Sequence, residues 1–179
     1  MTRIEVLDAP AFTPRVATAA HIYGTAMGRG PEMVVQRREI MHSHVTRRGF
    51  VAVVAVDESV GDDLGDLVGF GYGYRGRRGE WWHDIVVEAL GRETAERWMH
   101  DAFELAELHV QPDRQGQGLG RQILDRILAD ATGETVVLST HDRESAARRL
   151  YRSTGFVDLL GGFVFPGSAE VYAIMGRDL

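Results

Sequence analysis

The segment from residue 102 to residue 131 constrains this chain more than any other. Residues 102–110 read as a strand that ends at Val110. The strand runs directly into Gln111-Pro112-Asp113-Arg114-Gln115-Gly116-Gln117-Gly118-Leu119-Gly120-Arg121. Leu119, Ile123, Leu124, Ile127 and Leu128 then share one stripe of a helix over residues 119–131. Gly116, Gly118 and Gly120 let the backbone turn tightly and approach a ligand closely. The helix behind them offers unpaired backbone N–H groups and the positive end of its dipole. Such a turn suits a pyrophosphate, and Arg114 and Arg121 can add charge.

Two general phosphate-binding patterns do not fit. A Walker loop ends in Gly-Lys-Ser/Thr, whereas Gly120 is followed by Arg121 and Gln122. A dinucleotide fingerprint opens a βαβ unit and carries a last glycine where Arg121 stands; here the strand also lies mid-chain.

The chain has 179 residues with 44% apolar and 26% charged side chains, which suits one soluble domain with a sizeable core. A formal charge of -6 argues against nucleic acid as a partner and leaves room for a cationic substrate. All 20 basic residues are Arg, a bias that reads as genome composition rather than function. With no Cys, a thiolate metal site and a cysteinyl acyl intermediate are excluded. No stretch has the roughly 18 apolar residues of a membrane span and residues 1–8 hold no apolar signal run, so a cytoplasmic protein without membrane contact is expected.

Periodicity predicts a mixed α/β domain over residues 1–179. Strands are expected at 3–7, 50–56, 67–74, 102–110, 134–140, 156–165 and 170–175. Residues 50–56 should be buried on both faces, with 67–74 as their hairpin partner. One helix is expected from Pro14 with Thr13 as its N-cap, and another from Pro31 to near Gly49 carrying Met33, Val34, Arg37, Ile40 and Met41. Residues 57–66 read as a polar turn and 75–80 as a loop. Residues 81–101 read as helical with a break at Gly91, and 144–153 as a helix stopped by Gly155.

Gln115-Gly116-Gln117-Gly118-Leu119-Gly120 resembles the Gln/Arg-x-x-Gly-x-Gly/Ala signature of the GNAT acetyltransferase superfamily, and Val110-Gln111-Pro112 resembles its lead-in. Ala147-Arg148-Arg149-Leu150-Tyr151-Arg152-Ser153-Thr154-Gly155-Phe156 is similar to that superfamily's Ala-x-x-Leu-Tyr-x-x-x-Gly-Phe segment. The resemblance covers residues 104–156. Glu144 stands where members often carry Asn, and His141, Asp142 or Ser145 could substitute for it.

The resemblance implies a mostly antiparallel mixed sheet with one splayed parallel strand pair, 102–110 and 134–140, flanked by helices. It implies transfer of an acetyl group from acetyl-CoA to a primary amine by direct attack in a ternary complex. The amine could be a small molecule or a peptide, and a homodimer is left open. The backbone at Leu108 and Val110 would polarise the thioester carbonyl. The amides of Gln115, Gly116, Gln117, Gly118, Leu119, Gly120 and Arg121 would hold the pyrophosphate. Tyr151 would protonate the leaving sulfur. Glu104 is the first candidate for the base and Glu107 the second, on opposite strand faces, and burial should raise a carboxylate's pKa there. His109 and His141 are weaker candidates, a water relay could replace any single base, and either carboxylate could instead sit at a solvated strand end or pair with an Arg. The rival function is an acyl-CoA-binding module without catalysis.

Trp81-Trp82-His83-Asp84 could wall an acceptor pocket or plug the sheet. His42 and His44 do not share a helix face, and no metal site is expected. Arg37, Arg38, Arg47 and Arg48 read as a solvated face, and one of Arg148, Arg149 and Arg152 could reach the CoA phosphates.

Overall fold

The computed structural model describes residues 1–59 and 66–179. In chain order these form β1 (Thr2–Leu7), α1 (Ala9–Phe12), a 3-10 turn (Thr13–Arg15), α2 (Val16–Met27), α3 (Pro31–His44), β2 (Val51–Asp57) and β3 (Asp66–Arg75). Then come α4 (Trp81–Leu90), α5 (Arg92–Met99), β4 (Ala102–Val110), a second 3-10 turn (Pro112–Arg114) and α6 (Leu119–Asp130). The chain closes with β5 (Thr135–His141), α7 (Ala146–Ser153), β6 (Val157–Phe163) and β7 (Tyr172–Asp178). Hydrogen-bonded strands follow the order β1-β2-β3-β4-β5-β7-β6. β4–β5 is the parallel pair, and β1–β2, β2–β3, β5–β7 and β6–β7 are antiparallel. This is the mixed, mostly antiparallel sheet with helices that the resemblance implies. Most of the expected 57–66 turn lies outside the described residues.

The chain forms two compact units, one of Met1–Tyr74 with Glu107–Ala131, the other of Arg75–Ala106 with Thr132–Leu179. In the first, β2 is buried from Ala52 to Asp57, as its unbroken Val/Ala run dictates. It pairs antiparallel with β3, as expected of a hairpin. Phe70 and Tyr72 of β3 meet Phe12 in an aromatic core, with ring centroids 6.3 and 5.6 Å away. The intervening glycines lie under α6. A Cβ on Gly71 would fall 2.8 Å from Ile127 Cδ1 and 3.0 Å from Ile123 Cγ2. Helix α6 therefore rests on bare β3 backbone, burying Leu119, Ile123, Leu124 and Ile127.

Two expectations need correction in this unit. The first helix opens at Asp8, whose Oδ1 accepts from Ala11 N at 3.0 Å, with Pro at an early helical position. Thr13 does not cap: its hydroxyl donates back to Ala9 O at 2.7 Å, which carries the chain into the 3-10 turn. On α3 only Met41 is buried, while Met33 and Ile40 are 42% and 41% exposed. Helices α2 and α3 meet where a Cβ on Gly24 would collide with Val34 Cγ2.

In the second unit, α4 and α5 are separated at Gly91, whose φ of 74° no L side chain adopts readily. Val86, Ala95 and Met99 from these helices pack on Ala102, Val137 and Ile174 of the strands. The β4–β5 ladder registers Ala102↔Thr135, Phe103↔Val136 and Glu104↔Val137, and both strands run on beyond it. β5 is paired along its other edge with β7, from Thr135↔Asp178 to His141↔Tyr172.

Candidate active site

The glycine turn belongs to the first unit and is anchored at both ends. Gln111 N donates to Val68 O and Gln111 Nε2 to Leu67 O, each at 2.9 Å, which ties the end of β4 to β3. Gln115 Nε2 donates to Val110 O at 3.0 Å and folds the turn back on the strand. Arg114 Nη2 donates to Asp57 Oδ2 at 2.6 Å. Hydrogen bonds from Ser59 and the charge of Arg114 hold the Asp57 carboxyl down at about 2, against the upward pull of burial. Arg121 Nε pairs with Asp125 at 3.1 Å. Both arginines expected to add charge thus have carboxylate partners.

Gly116 and Gly118 have φ of 75° and 80°. A Cβ on Gly116 would meet nothing within 4 Å, and one on Gly118 only Gln122 Nε2 at 4.0 Å. The space over the turn is therefore open. Gly118 is the N-cap of the 12-residue α6 and supplies no side-chain cap. The first helical acceptor bond is Gln122 N to Gly118 O at 3.1 Å, so the N–H groups of Leu119, Gly120 and Arg121 precede the ladder at the positive end of the helix. These features suit an anionic phosphate group.

Glu107 lies in the same unit and is buried. Arg37 Nη1 donates to its Oε1 at 3.0 Å and His109 Nε2 to its Oε2 at 2.6 Å. Burial pushes its carboxyl up, but the His109 hydrogen bond and the Arg37 charge outweigh it and hold Glu107 below the usual carboxylate value. The expected rise is thus reversed at Glu107. Arg37 also reaches Tyr23 OH at 3.3 Å and sits 4.5 Å over the Tyr23 ring, while Arg47 lies 4.4 Å over Tyr74. These two arginines do not form the solvated face expected of them.

His44 Nδ1 is 3.0 Å from Tyr72 OH. Burial first, then the charge of Arg47, with a smaller push from Arg37 and against the pull of Glu107, drives the His44 imidazole down to about 4. It stays neutral within hydrogen-bonding distance of the Tyr72 hydroxyl. An unfolded chain binds a proton at this residue below about pH 6.5, so stability is lost as pH falls from about 6.5 to 4, by up to about 3 kcal/mol. Glu107 acts only lower, because its stabilisation is lost as pH falls below its unfolded value of 4.5. Urea unfolding at pH 7.5, 5.5 and 4.8 should show the loss in wild type and a flatter response in His44→Gln. Equal losses in the two proteins would remove His44 as the cause.

The second unit carries Glu104 and Tyr151. Glu104 is 2% exposed, and its Oε1 lies 2.8 Å from His83 Nδ1 at the start of α4. The two flanking residues of His83 serve structure: Trp82 Nε1 donates to Ser139 Oγ at 3.2 Å, and Asp84 accepts from Gly79 N at 3.0 Å. Tyr151 is 7% exposed, with its ring 5.6 Å from that of Phe156. Arg148 is buried and bound to Asp142 at 2.7 Å and Asp158 at 2.8 Å, which commits it to bracing α7 rather than to a phosphate. Glu144 takes Arg149 at 3.4 Å and Arg152 at 3.0 Å, so the residue at the usual Asn position acts as an ionic clamp on the helix start. His141 Nε2 lies 3.1 Å from Glu170 Oε2.

Sequence reasoning named His83 within the 81–84 run but missed its pairing with Glu104. It singled out the surrounding aromatic run, but a partner 21 residues away across a helix and a strand leaves no local signal. Among the described residues no cluster of His, Asp and Glu has the arrangement of a metal site.

A family model described as an acetyltransferase (GNAT) domain matches residues 47–158. The chain belongs to the GNAT acetyltransferase family. A GCN5-like protein acetyltransferase of Mycobacterium tuberculosis is 35% identical to this GNAT chain over 191 aligned residues, covering 92% of each protein. The ribosomal-protein-S18-alanine N-acetyltransferase of Escherichia coli shares the GNAT fold with a TM-score of 0.64 at 18% identity, over 99% of this chain and 94% of that one. An acetyltransferase of Salmonella typhimurium, solved with acetyl-CoA, has a TM-score of 0.62 at 18% identity, over 100% and 94% of the two chains.

Proposed function

We propose that this GNAT chain transfers the acetyl group of acetyl-CoA to a primary amine, by direct attack while both are bound. The observation that carries the reading is the open glycine turn at the uncapped start of α6. Backbone N–H groups from Gln115 through Gly116, Gln117, Gly118, Leu119 and Gly120 to Arg121 hold the pyrophosphate in this reading. The thioester supplies the acetyl group, and the backbone at Leu108 and Val110 polarises its carbonyl. Glu104 accepts a proton from the attacking amine, and Tyr151 gives one to the departing sulfur. Glu107, already charge-paired, orients its neighbours instead of cycling protons. The Mycobacterium relative, a GCN5-like protein acetyltransferase, supports an amine on a protein or peptide as the acceptor. We further take residues 1–179 to act as one domain in the cytoplasm.

The test is release of free CoA thiol from acetyl-CoA across a panel of small amines, free-N-terminus peptides and lysine peptides. Thiol release with at least one acceptor is expected; binding of acetyl-CoA without turnover on any would favour the rival binding module. Calorimetry on Gly118→Asp gives the second arm. An acidic side chain forced to a φ of 80° beside the bound phosphates should weaken CoA at least about tenfold, or about 1.4 kcal/mol. Unchanged affinity in the folded variant would remove the turn from the site.

A further inference from the structure

We propose that His83 is the proton outlet of Glu104: it takes the proton that Glu104 removes from the amine and passes it to water in a side cleft. The inference rests on Glu104 as the base and adds a positioning residue outside the family motifs.

Three observations support it, all within the second unit. First, His83 and Glu104 are both buried, 5% and 2% exposed, and their Nδ1–Oε1 separation of 2.8 Å is hydrogen-bonding distance. Second, Glu104 is held in place, because Gly76 passes so close that a Cβ there would strike the Glu104 carboxylate. The carboxylate lacks room to swing toward the loop and shed its proton there. Third, His83 lines an open cleft of about 790 Å³ between the 76–79 loop, α4 and α5. The imidazole thus touches both the buried carboxylate and that cleft.

The charges around the cleft do not favour either sign. Arg77 and Arg78 face it from the loop, Asp84 and Glu88 from α4, and Arg92, Glu96 and His100 from α5. The three arginines balance the three carboxylates, so a proton delivered there meets no fixed excess of charge. His100 is a second imidazole on the same cleft and serves as the control.

The proton accounting closes without any further reactant. Glu104 gains one proton from the amine and becomes neutral. It donates that proton from Oε1 to Nδ1 of His83. The imidazole loses its other proton, on Nε2, to a cleft water. The Nδ1–H left behind donates to the ionised Glu104, which is the resting pair, and tautomer exchange through cleft water once Glu104 is next protonated frees Nδ1 for the following transfer.

The experiment uses the full chain with the most active acceptor of the amine panel. His83→Asn keeps a donor near the Nδ1 position but cannot relay a proton, and His83→Ala opens a hole that free imidazole can enter from the cleft. Both variants should lose roughly 10- to 100-fold in kcat, in the range of a positioned proton-transfer group, with the acetyl-CoA KM within about twofold. Added imidazole should restore His83→Ala by at least about tenfold, saturably and in proportion to its free-base fraction, and should do nothing for His100→Ala. Either variant within about threefold of wild type overturns the relay. So does a loss that imidazole does not restore, which marks His83 as structural. Glu104→Gln separates the two readings: full activity there removes the base and the relay together, whereas a crippled Glu104→Gln beside active His83 variants removes the relay alone.

Discussion

Tyr151→Phe is expected to lower turnover by about 10²–10⁴-fold, the range for loss of a positioned acid. The expectation follows from how little else the substitution changes. Tyr151 is 7% exposed and its ring lies 5.6 Å from Phe156, so a phenyl ring keeps the packing that anchors the last turn of α7. Acetyl-CoA affinity should hold, since the lost interaction serves the transition state and not the ground state. The measurement is turnover, affinity and thermal midpoint on one preparation. Near-normal turnover rules out the acid role, and loss of all three together marks structural damage.

The two glutamates of β4 should separate just as sharply. Glu104→Gln keeps shape and burial but cannot take a proton, so kcat should fall about 10²–10³-fold with little change in stability. Glu107→Gln should do the reverse. It strips the negative partner from Arg37 and from His109 in a buried setting, and should cost about 2–3 kcal/mol, moderated because Arg37 is 30% exposed. Paired urea unfolding and thiol-release kinetics check both. A Glu107→Gln protein of normal stability and abolished turnover would exchange the two assignments.

The strand and helix around the glycine turn were readable because their signals are local. The bounds of β4 match the sequence expectation at both ends, Ala102 and Val110, and α6 starts at Leu119 as its apolar stripe predicts. The glycine break at Gly91 and the stop at Gly155 follow from the same one-residue chemistry. What was not readable depends on partners distant in sequence. Pro14 and Thr13 look like a helix start, yet Asp8 and Pro10 had already begun one, so the nearer signal was the wrong one. Burial alone predicts a raised Glu107, but the hydrogen bond from His109, joined by the charge of a guanidinium 70 residues away, reverses the sign. Arg37 on an otherwise polar helix looks like one more solvated charge, and only the fold brings it to Glu107. Arg148 sits in a matching motif, and its carboxylate partners fix it as a brace.

The bare β3 backbone under α6 has a mechanical consequence. A helix spaced from its sheet by side chains can slide or tilt as those chains change rotamer. Here a Cβ on Gly69 would lie 3.1 Å from Ile123 Cδ1 and one on Gly71 2.8 Å from Ile127 Cδ1, so a side chain at either position would crowd the helix. Close packing on these two glycines helps to hold α6, and with it the direction in which its first amides point. In the proposed reading, tightness of acetyl-CoA binding is therefore written in part about 45 residues upstream of the turn. A methyl group added at Gly71 would act as a shim, tipping the amides off their mark without touching any ligand.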